Sequence, residues 1–105
     1  MAYKIITDWT QTGIKDRVIN EIREHAKANH VEKVILFGSR ARGDFRSKSD
    51  IDLAVLGGDV ANFSMDVDED TWTLLEYDFV DLGRGVSAEL MKEIERDGIL
   101  IYEKV

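Results

Sequence analysis

Residues 38–52 read GSRARGDFRSKSDID, a stretch that begins with Gly38 and Ser39 and ends with Asp50 and Asp52. An apolar run precedes it, so the glycine and the serine stand where a strand would turn. Glycine lets backbone amides approach a phosphate closely, and a serine hydroxyl can donate to a phosphate oxygen. Paired carboxylates suit a divalent cation. The stretch therefore predicts a site that combines phosphate binding with metal binding.

Residues 49–56 alternate in polarity, which is typical of a β-strand with one buried face. Asp50 and Asp52 would lie on the outer face, roughly 7 Å apart along the strand, while Ile51 and Leu53 point into the core. Two carboxylates side by side repel each other, and bound Mg²⁺ would compensate that repulsion. A pair of aspartates alone is more often a solvated strand face. The upstream Gly-Ser pair favours the metal site.

This arrangement resembles the GS…DxD signature of the polymerase β-like nucleotidyltransferase superfamily, and the short chain resembles its minimal nucleotidyltransferase branch. The resemblance implies that Gly38 and Ser39 hold the β- and γ-phosphates of ATP, which serves as the nucleotide substrate. It implies that Asp50 and Asp52 bind two Mg²⁺ ions. It also implies a third carboxylate on a neighbouring strand, which binds the catalytic metal and can take the proton from the attacking hydroxyl.

The run from Tyr77 to Leu82 is predicted to be that neighbouring strand, and it contains two aspartates, Asp78 and Asp81. They fall on opposite faces of a regular strand, so both cannot serve. We favour Asp78, because the Asp-aromatic-Val-Asp-Leu run that it begins resembles the one in the family. The sequence leaves Asp81 as the alternative.

Four basic residues lie between the Gly-Ser pair and the aspartates, namely Arg40, Arg42, Arg46 and Lys48. Arg40 and Arg42 are candidates for neutralising the charge of a bound triphosphate. Most arginines near a turn are simply solvated, and this reading is favoured for Arg46 and Lys48. An ion pair that holds the loop is a further alternative for Arg42.

The chain alternates predicted helices with predicted strands, which indicates an α/β (α+β) fold with a small mixed sheet flanked by helices. We expect one nucleotidyltransferase-type domain over residues 1–105. Ser87 is the predicted N-cap of the last helix and Gly98 its C-cap. The acidic run 66–70 is expected to interrupt the helix of segment 59–76. The other predicted elements are a helix over 12–29 and strands over 31–37, 49–56, 77–82 and 99–102.

The charge and composition of the chain argue against several classes of protein. The net charge is −7, which argues against broad nucleic-acid binding. The chain lacks cysteine, a signal-peptide core and any apolar run of roughly 18 residues, so we expect a cytoplasmic protein. His25 and His30 are interpreted as surface residues, and Trp9 and Trp72 as packing or partner-contact residues.

The resemblance also implies a biological role. Minimal nucleotidyltransferases pair with helical HEPN-type toxins and act as antitoxins that can transfer AMP to a toxin tyrosine. Two alternatives stay open: a non-catalytic module that neutralises a partner by contact, and a nucleotidyltransferase that modifies a small molecule. Exposed apolar residues would also allow homo-oligomers.

Overall fold

The computed structural model describes residues 3–105, so residues 1 and 2 of the expected domain lie outside it. The strands are β1 (Lys33–Phe37), β2 (Ile51–Leu56), β3 (Tyr77–Asp81) and β4 (Ile99–Glu103). The helices are α1 (Asp16–Ala28), α2 (Gly38–Arg42), α3 (Val60–Glu69) and α4 (Ala88–Asp97). Short 3₁₀ turns occupy Thr10–Thr12 and Leu82–Arg84.

The four strands form one mixed sheet in the order β3-β2-β1-β4. Strand β1 runs antiparallel to both β2 and β4, whereas β2 and β3 are parallel. The crossover from β2 to β3 passes through α3, as a parallel connection requires. The predicted small mixed sheet with flanking helices is thus confirmed.

Helices cover both faces of the sheet. Helices α1 and α3 pack their apolar residues on one face, against the larger part of the core. Helix α4 covers the other face through Ile94, which clusters with Ile35, Phe37 and Ala54. Because β2 is central, Ala54 is fully buried although the alternation places it on the same face as the aspartates. The polar character of that face is therefore confined to the beginning of β2.

The predicted first helix is wrong at its start. Gly13 ends the 3₁₀ turn in the left-handed region with φ 69°, and Lys15 is extended. The helix therefore begins only at Asp16, although Ile14 is buried as its apolar spacing suggested. Left-handed backbone of this kind interrupts a right-handed helix and is readily adopted by glycine.

The predicted interruption of the third helix is also wrong. Helix α3 continues through most of the acidic run and ends at Glu69. Phe63 and Val67 are one turn apart and fully buried, whereas Asp68 and Glu69 are exposed, so the acidic residues do not break the helix. The predicted cap at Ser87 is confirmed, because its hydroxyl accepts from the Leu90 N–H at 3.1 Å. Within residues 3–105, no helix has the length and apolar character needed to span a membrane.

Candidate active site

The register of the sheet brings two aspartates side by side. Asp52 on β2 and Asp78 on β3 are direct partners across the parallel strands. Asp50 stands two residues earlier, just before β2 begins. Parallel partners project to the same side of a sheet, so Asp52 and Asp78 face the same way. The structure thus gathers the three predicted carboxylates at the end of the sheet where β2 and β3 begin.

The pKa of Asp52 is raised by its surroundings. Burial, which is the largest cause, and the charges of Asp78 and Asp50 together raise the pKa of the Asp52 carboxyl to about 6, while the charge of Arg42 lowers it. The exposed Glu93 of α4 adds a smaller repulsive contribution. The half-buried Asp52 is therefore held among like charges, a pattern common in functional sites.

Replacing Asp52 with asparagine is expected to stabilise the metal-free protein at pH 7.5 by about 1–2 kcal/mol. The folded-state pKa lies about two units above the usual value, worth about 3 kcal/mol before a discount for solvent screening. Because the folded state holds this proton more tightly, the carboxyl stabilises the protein fully below about pH 4. That contribution is lost as the pH rises through 6. Urea unfolding in a chelator at several pH values measures the difference.

The matched control is Glu24→Gln, which removes an exposed carboxylate from the middle of α1. We expect that variant to change stability by less than about 0.5 kcal/mol. The stabilisation by Asp52→Asn should also disappear near pH 4, where wild-type Asp52 is already protonated in the folded state. A gain that persists unchanged at pH 4 would contradict the electrostatic explanation.

The carboxylates fit a divalent cation by their chemistry. Carboxylate oxygens are the protein ligands that Mg²⁺ takes, together with substrate phosphates and water. The mutual repulsion at Asp52 is the charge imbalance that a cation would relieve. Across residues 3–105, however, no three or more acidic, histidine or cysteine side chains already form a group that could hold a metal. Oxygens of a bound triphosphate would have to complete the coordination.

Gly38 lies against the Asp52 carboxylate. It follows β1 with φ 77°, and a Cβ built on it would overlap the carboxylate of Asp52. Phe37 pairs with Asp52 across β1 and β2, which explains this close approach. The half-buried Ser39 follows in the first turn of α2, a helix that replaces the turn expected there. The first amides of a helix have no partner within it. The amides of Gly38 and Ser39 are therefore candidate hydrogen-bond donors beside the Asp52 carboxylate.

Arg40 supports the loop between α2 and β2 through hydrogen bonds to the backbone, whereas the sequence predicted that it would bind phosphate. Its side chain is 2% exposed and donates to the backbone carbonyls of Ser49, Thr12 and Ser47 at 2.9, 3.0 and 3.2 Å. Its guanidinium carbon also lies 4.5 Å from the centre of the Phe45 ring. These contacts occupy the guanidinium and fix the backbone that leads into Asp50.

Arg42 forms the ion pair that was the alternative to phosphate binding. Its Nη1 lies 2.9 Å from Asp97 Oδ2, and its Nε lies 3.2 Å from Asp44 Oδ2. Arg96 also donates to Asp97, so hydrogen bonds from Arg96 and Arg42 lower the pKa of that buried carboxyl. Arg42 thereby joins α2 to the end of α4.

Asp97 was not among the residues predicted from the sequence. Its position at the end of a predicted helix was the available signal, because an aspartate in the last turn interacts unfavourably with the helix dipole unless a cation pairs with it.

Arg46 and Lys48 are exposed, as expected. Asp81 lies away from the carboxylate group: it accepts from the Gly83 N–H at 2.9 Å and pairs with Arg84. Trp9 is 3% exposed and packs in the core.

The chain is similar to known proteins in both sequence and fold. The sequence pattern of the family described as "Polymerase beta, Nucleotidyltransferase" matches residues 20–105. A curated relative from Methanocaldococcus jannaschii, named as a protein adenylyltransferase, is 39% identical over 69 residues, which span 63% of this chain and 67% of the relative.

Two solved structures are similar over most of the chain. A chain of a toxin–antitoxin crystal structure with AMP-PNP aligns with a TM-score of 0.66 and 26% identity, covering 82% of this chain and 73% of that one. A chain of a mutant MntA–HpeT toxin–antitoxin structure aligns with a TM-score of 0.63 and 26% identity, covering 81% and 72%.

Proposed function

The chain belongs to the polymerase beta nucleotidyltransferase family, and we propose that it transfers AMP from ATP to a tyrosine of a HEPN-type toxin and so acts as its antitoxin. Nucleotidyl transfer is the general activity of this enzyme. What we propose beyond this general activity is the identity of the nucleotide (ATP), of the acceptor (a toxin tyrosine) and of the metal (Mg²⁺).

The observation that supports this function most directly is the pairing of Asp52 with Asp78 next to Gly38. Nucleotidyl transfer requires that the carboxylates and the phosphate-binding amides lie close enough together to contact the same bound nucleotide. We propose Asp50, Asp52 and Asp78 as the ligands of two Mg²⁺ ions. Bound Mg²⁺ would lower the pKa of the acceptor hydroxyl and offset the charge of the triphosphate.

The protein's own residues would orient the reaction. The Ser39 hydroxyl and the first amides of α2 bind the β- and γ-phosphates, which directs the α-phosphorus towards the acceptor. The tyrosine oxygen forms a bond to the α-phosphorus while the bond to the bridging oxygen of the β-phosphate breaks. Pyrophosphate leaves, and the Asp78 carboxylate takes the phenolic proton.

A protein acceptor is supported by the relatives. The relative from M. jannaschii is named as a protein adenylyltransferase, and the two aligned structures are toxin–antitoxin complexes, one of them with AMP-PNP. These names apply to those proteins, and the extension to this chain is our proposal. The proposed mechanism does not use Arg42 as a phosphate ligand, because the Arg42 guanidinium already pairs with Asp44 and Asp97.

The test is transfer of label from ATP that carries ³²P at the α-phosphate. Purified protein, Mg²⁺ and a HEPN-type toxin are incubated, and the modified residue is identified by mass spectrometry. We expect label on a toxin tyrosine with wild type and none with the Asp50→Asn/Asp52→Asn double variant. ATP labelled at the γ-phosphate should give no label, which distinguishes nucleotidyl transfer from phosphorylation.

Three results would overturn parts of this proposal. Absence of label on any protein, with all four ribonucleotides and with Mn²⁺ also tried, would favour the contact-only module. Label on a small molecule without a protein present would favour a small-molecule enzyme. A double variant that neutralises the toxin as well as wild type would show that transfer is not the means of neutralisation.

A further inference from the structure

The loop between α3 and β3 displays two large apolar side chains to solvent. Trp72 is 64% exposed, and the side chain of Leu74 is fully exposed. The loop is nevertheless held in place, because the Trp72 N–H donates to Glu21 at 2.8 Å and the Arg17 guanidinium lies 4.5 Å from the centre of the Trp72 ring. A fixed backbone that presents a tryptophan and a leucine is typical of a binding surface.

These side chains form one wall of a groove. The other wall is the segment that leads into α1 together with the first turn of the helix, and the space between the walls measures about 290 Å³. Apolar atoms dominate its lining, and Lys15 is the charged residue among the residues that line it. We call this feature the Trp72 groove; its main lining residues are Ile14, Lys15, Val18, Trp72, Leu74 and Leu75.

The Trp72 groove lies at the same end of the sheet as the carboxylates. The Ile51 N–H donates to the carbonyl of Glu76 at 2.9 Å, and Ile51 pairs with Tyr77. The loop that carries Trp72 therefore runs directly into the strand that bears Asp78, and Ile51 adjoins Asp50. The groove lies on the face of the sheet that α1 covers, whereas the carboxylates share the face of Ala54 and α4, so a bound protein would extend around this end of the sheet to reach them.

The charge beside the groove differs from that of the whole chain. Lys15 lines the groove and Arg17 lies over Trp72, with the Glu21 carboxylate 3.8 Å from Arg17, so two cations and one anion lie beside the groove although the net charge of the chain is −7. An apolar segment with acidic residues beside it would complement this local charge, and a segment rich in basic residues would not.

We propose that the Trp72 groove docks the protein acceptor of nucleotidyl transfer, through an apolar segment of the acceptor flanked by acidic residues. This inference rests on the proposed function, because it requires that the acceptor be a protein. It adds the surface that would hold the acceptor while its hydroxyl enters the site at Asp50, Asp52 and Asp78.

The test uses the full chain and the acceptor protein identified by label transfer. Leu74→Asp places a charge on a fully exposed position, and Lys15→Glu reverses the charge of the groove. Each is expected to lower kcat/KM for the protein acceptor at least tenfold, mainly through KM. The matched controls are Ile5→Asp at another exposed apolar position, which is 79% exposed, and Lys27→Glu at the other end of α1.

Two further measurements separate docking from other effects. Affinity for AMP-PNP should stay within twofold of wild type in all four variants, and their urea midpoints should agree. Changes in kcat/KM no larger for Leu74→Asp and Lys15→Glu than for the controls would overturn the inference and leave the proposed function intact. A wild-type dimer that Leu74→Asp converts to a monomer would overturn it in favour of a second copy in the groove.

Failure of the proposed function gives a different result. If wild type labels no protein at all, the enzyme has no protein acceptor and the docking inference falls with the proposed function. If wild type labels a protein and the groove variants label it equally well, only the docking inference falls.

Discussion

Replacing Asp78 with asparagine is expected to lower the rate of nucleotidyl transfer by about 10²–10³-fold, the usual cost of removing one preorganised electrostatic group from an active site. Asparagine keeps the volume of the side chain but removes the charge opposite Asp52. It also cannot accept a proton from the acceptor hydroxyl at neutral pH. Label transfer from α-labelled ATP under saturating Mg²⁺ measures the loss, and a thermal melt checks the fold.

Asp81→Asn on the same strand is the matched control. Asp81 pairs with Val55, three residues beyond Asp52 along β2, and its carboxylate accepts from the Gly83 N–H. We expect transfer within about twofold of wild type and a change in stability below about 0.5 kcal/mol, since the asparagine amide oxygen can accept the same hydrogen bond from the Gly83 N–H. Equal losses in the Asp78 and Asp81 variants would contradict the assignment of the third carboxylate.

The strands that carry the site were predictable because their patterns are local. The alternation from Asp50 to Val55 and the run from Tyr77 to Leu82 both contain the period of two that a strand imposes on its side chains. Because side chains alternate between the two faces of a strand, Asp78 and Asp81, three positions apart, lie on opposite faces. The register between β2 and β3 involves residues far apart in sequence, and no local pattern determines it.

The arginines illustrate what local patterns cannot show. Arg40 directly follows Gly38 and Ser39 in the sequence, yet it is buried against the backbone of Thr12, 28 positions away. Arg42 pairs with Asp97, which lies 55 positions away. An arginine near a turn has the same appearance in the sequence whether it binds phosphate or supports the loop. Only the three-dimensional contacts distinguish the two roles, and here they favour support of the loop.

Replacing Gly38 with alanine is expected to destabilise the protein by about 2–5 kcal/mol and to lower nucleotidyl transfer at least about 10²-fold. Part of the stability loss comes from the positive φ of 77°, which costs an L-residue about 1–2 kcal/mol. The remainder comes from the overlap of the new Cβ with the Asp52 carboxylate, since overpacking costs about 1–3 kcal/mol. Urea unfolding and label transfer measure the two effects.

Gly85→Ala separates backbone strain from the clash. Gly85 also has a positive φ, 83°, but a Cβ built there meets no atom within 4 Å. We expect this variant to lose stability through strain alone and to keep its transfer activity within about twofold. If the two alanine variants lost the same activity, backbone strain or general loosening would explain the effect. A loss confined to Gly38→Ala would instead show that the space above the Asp52 carboxylate, which the missing Cβ leaves open, is required for nucleotidyl transfer.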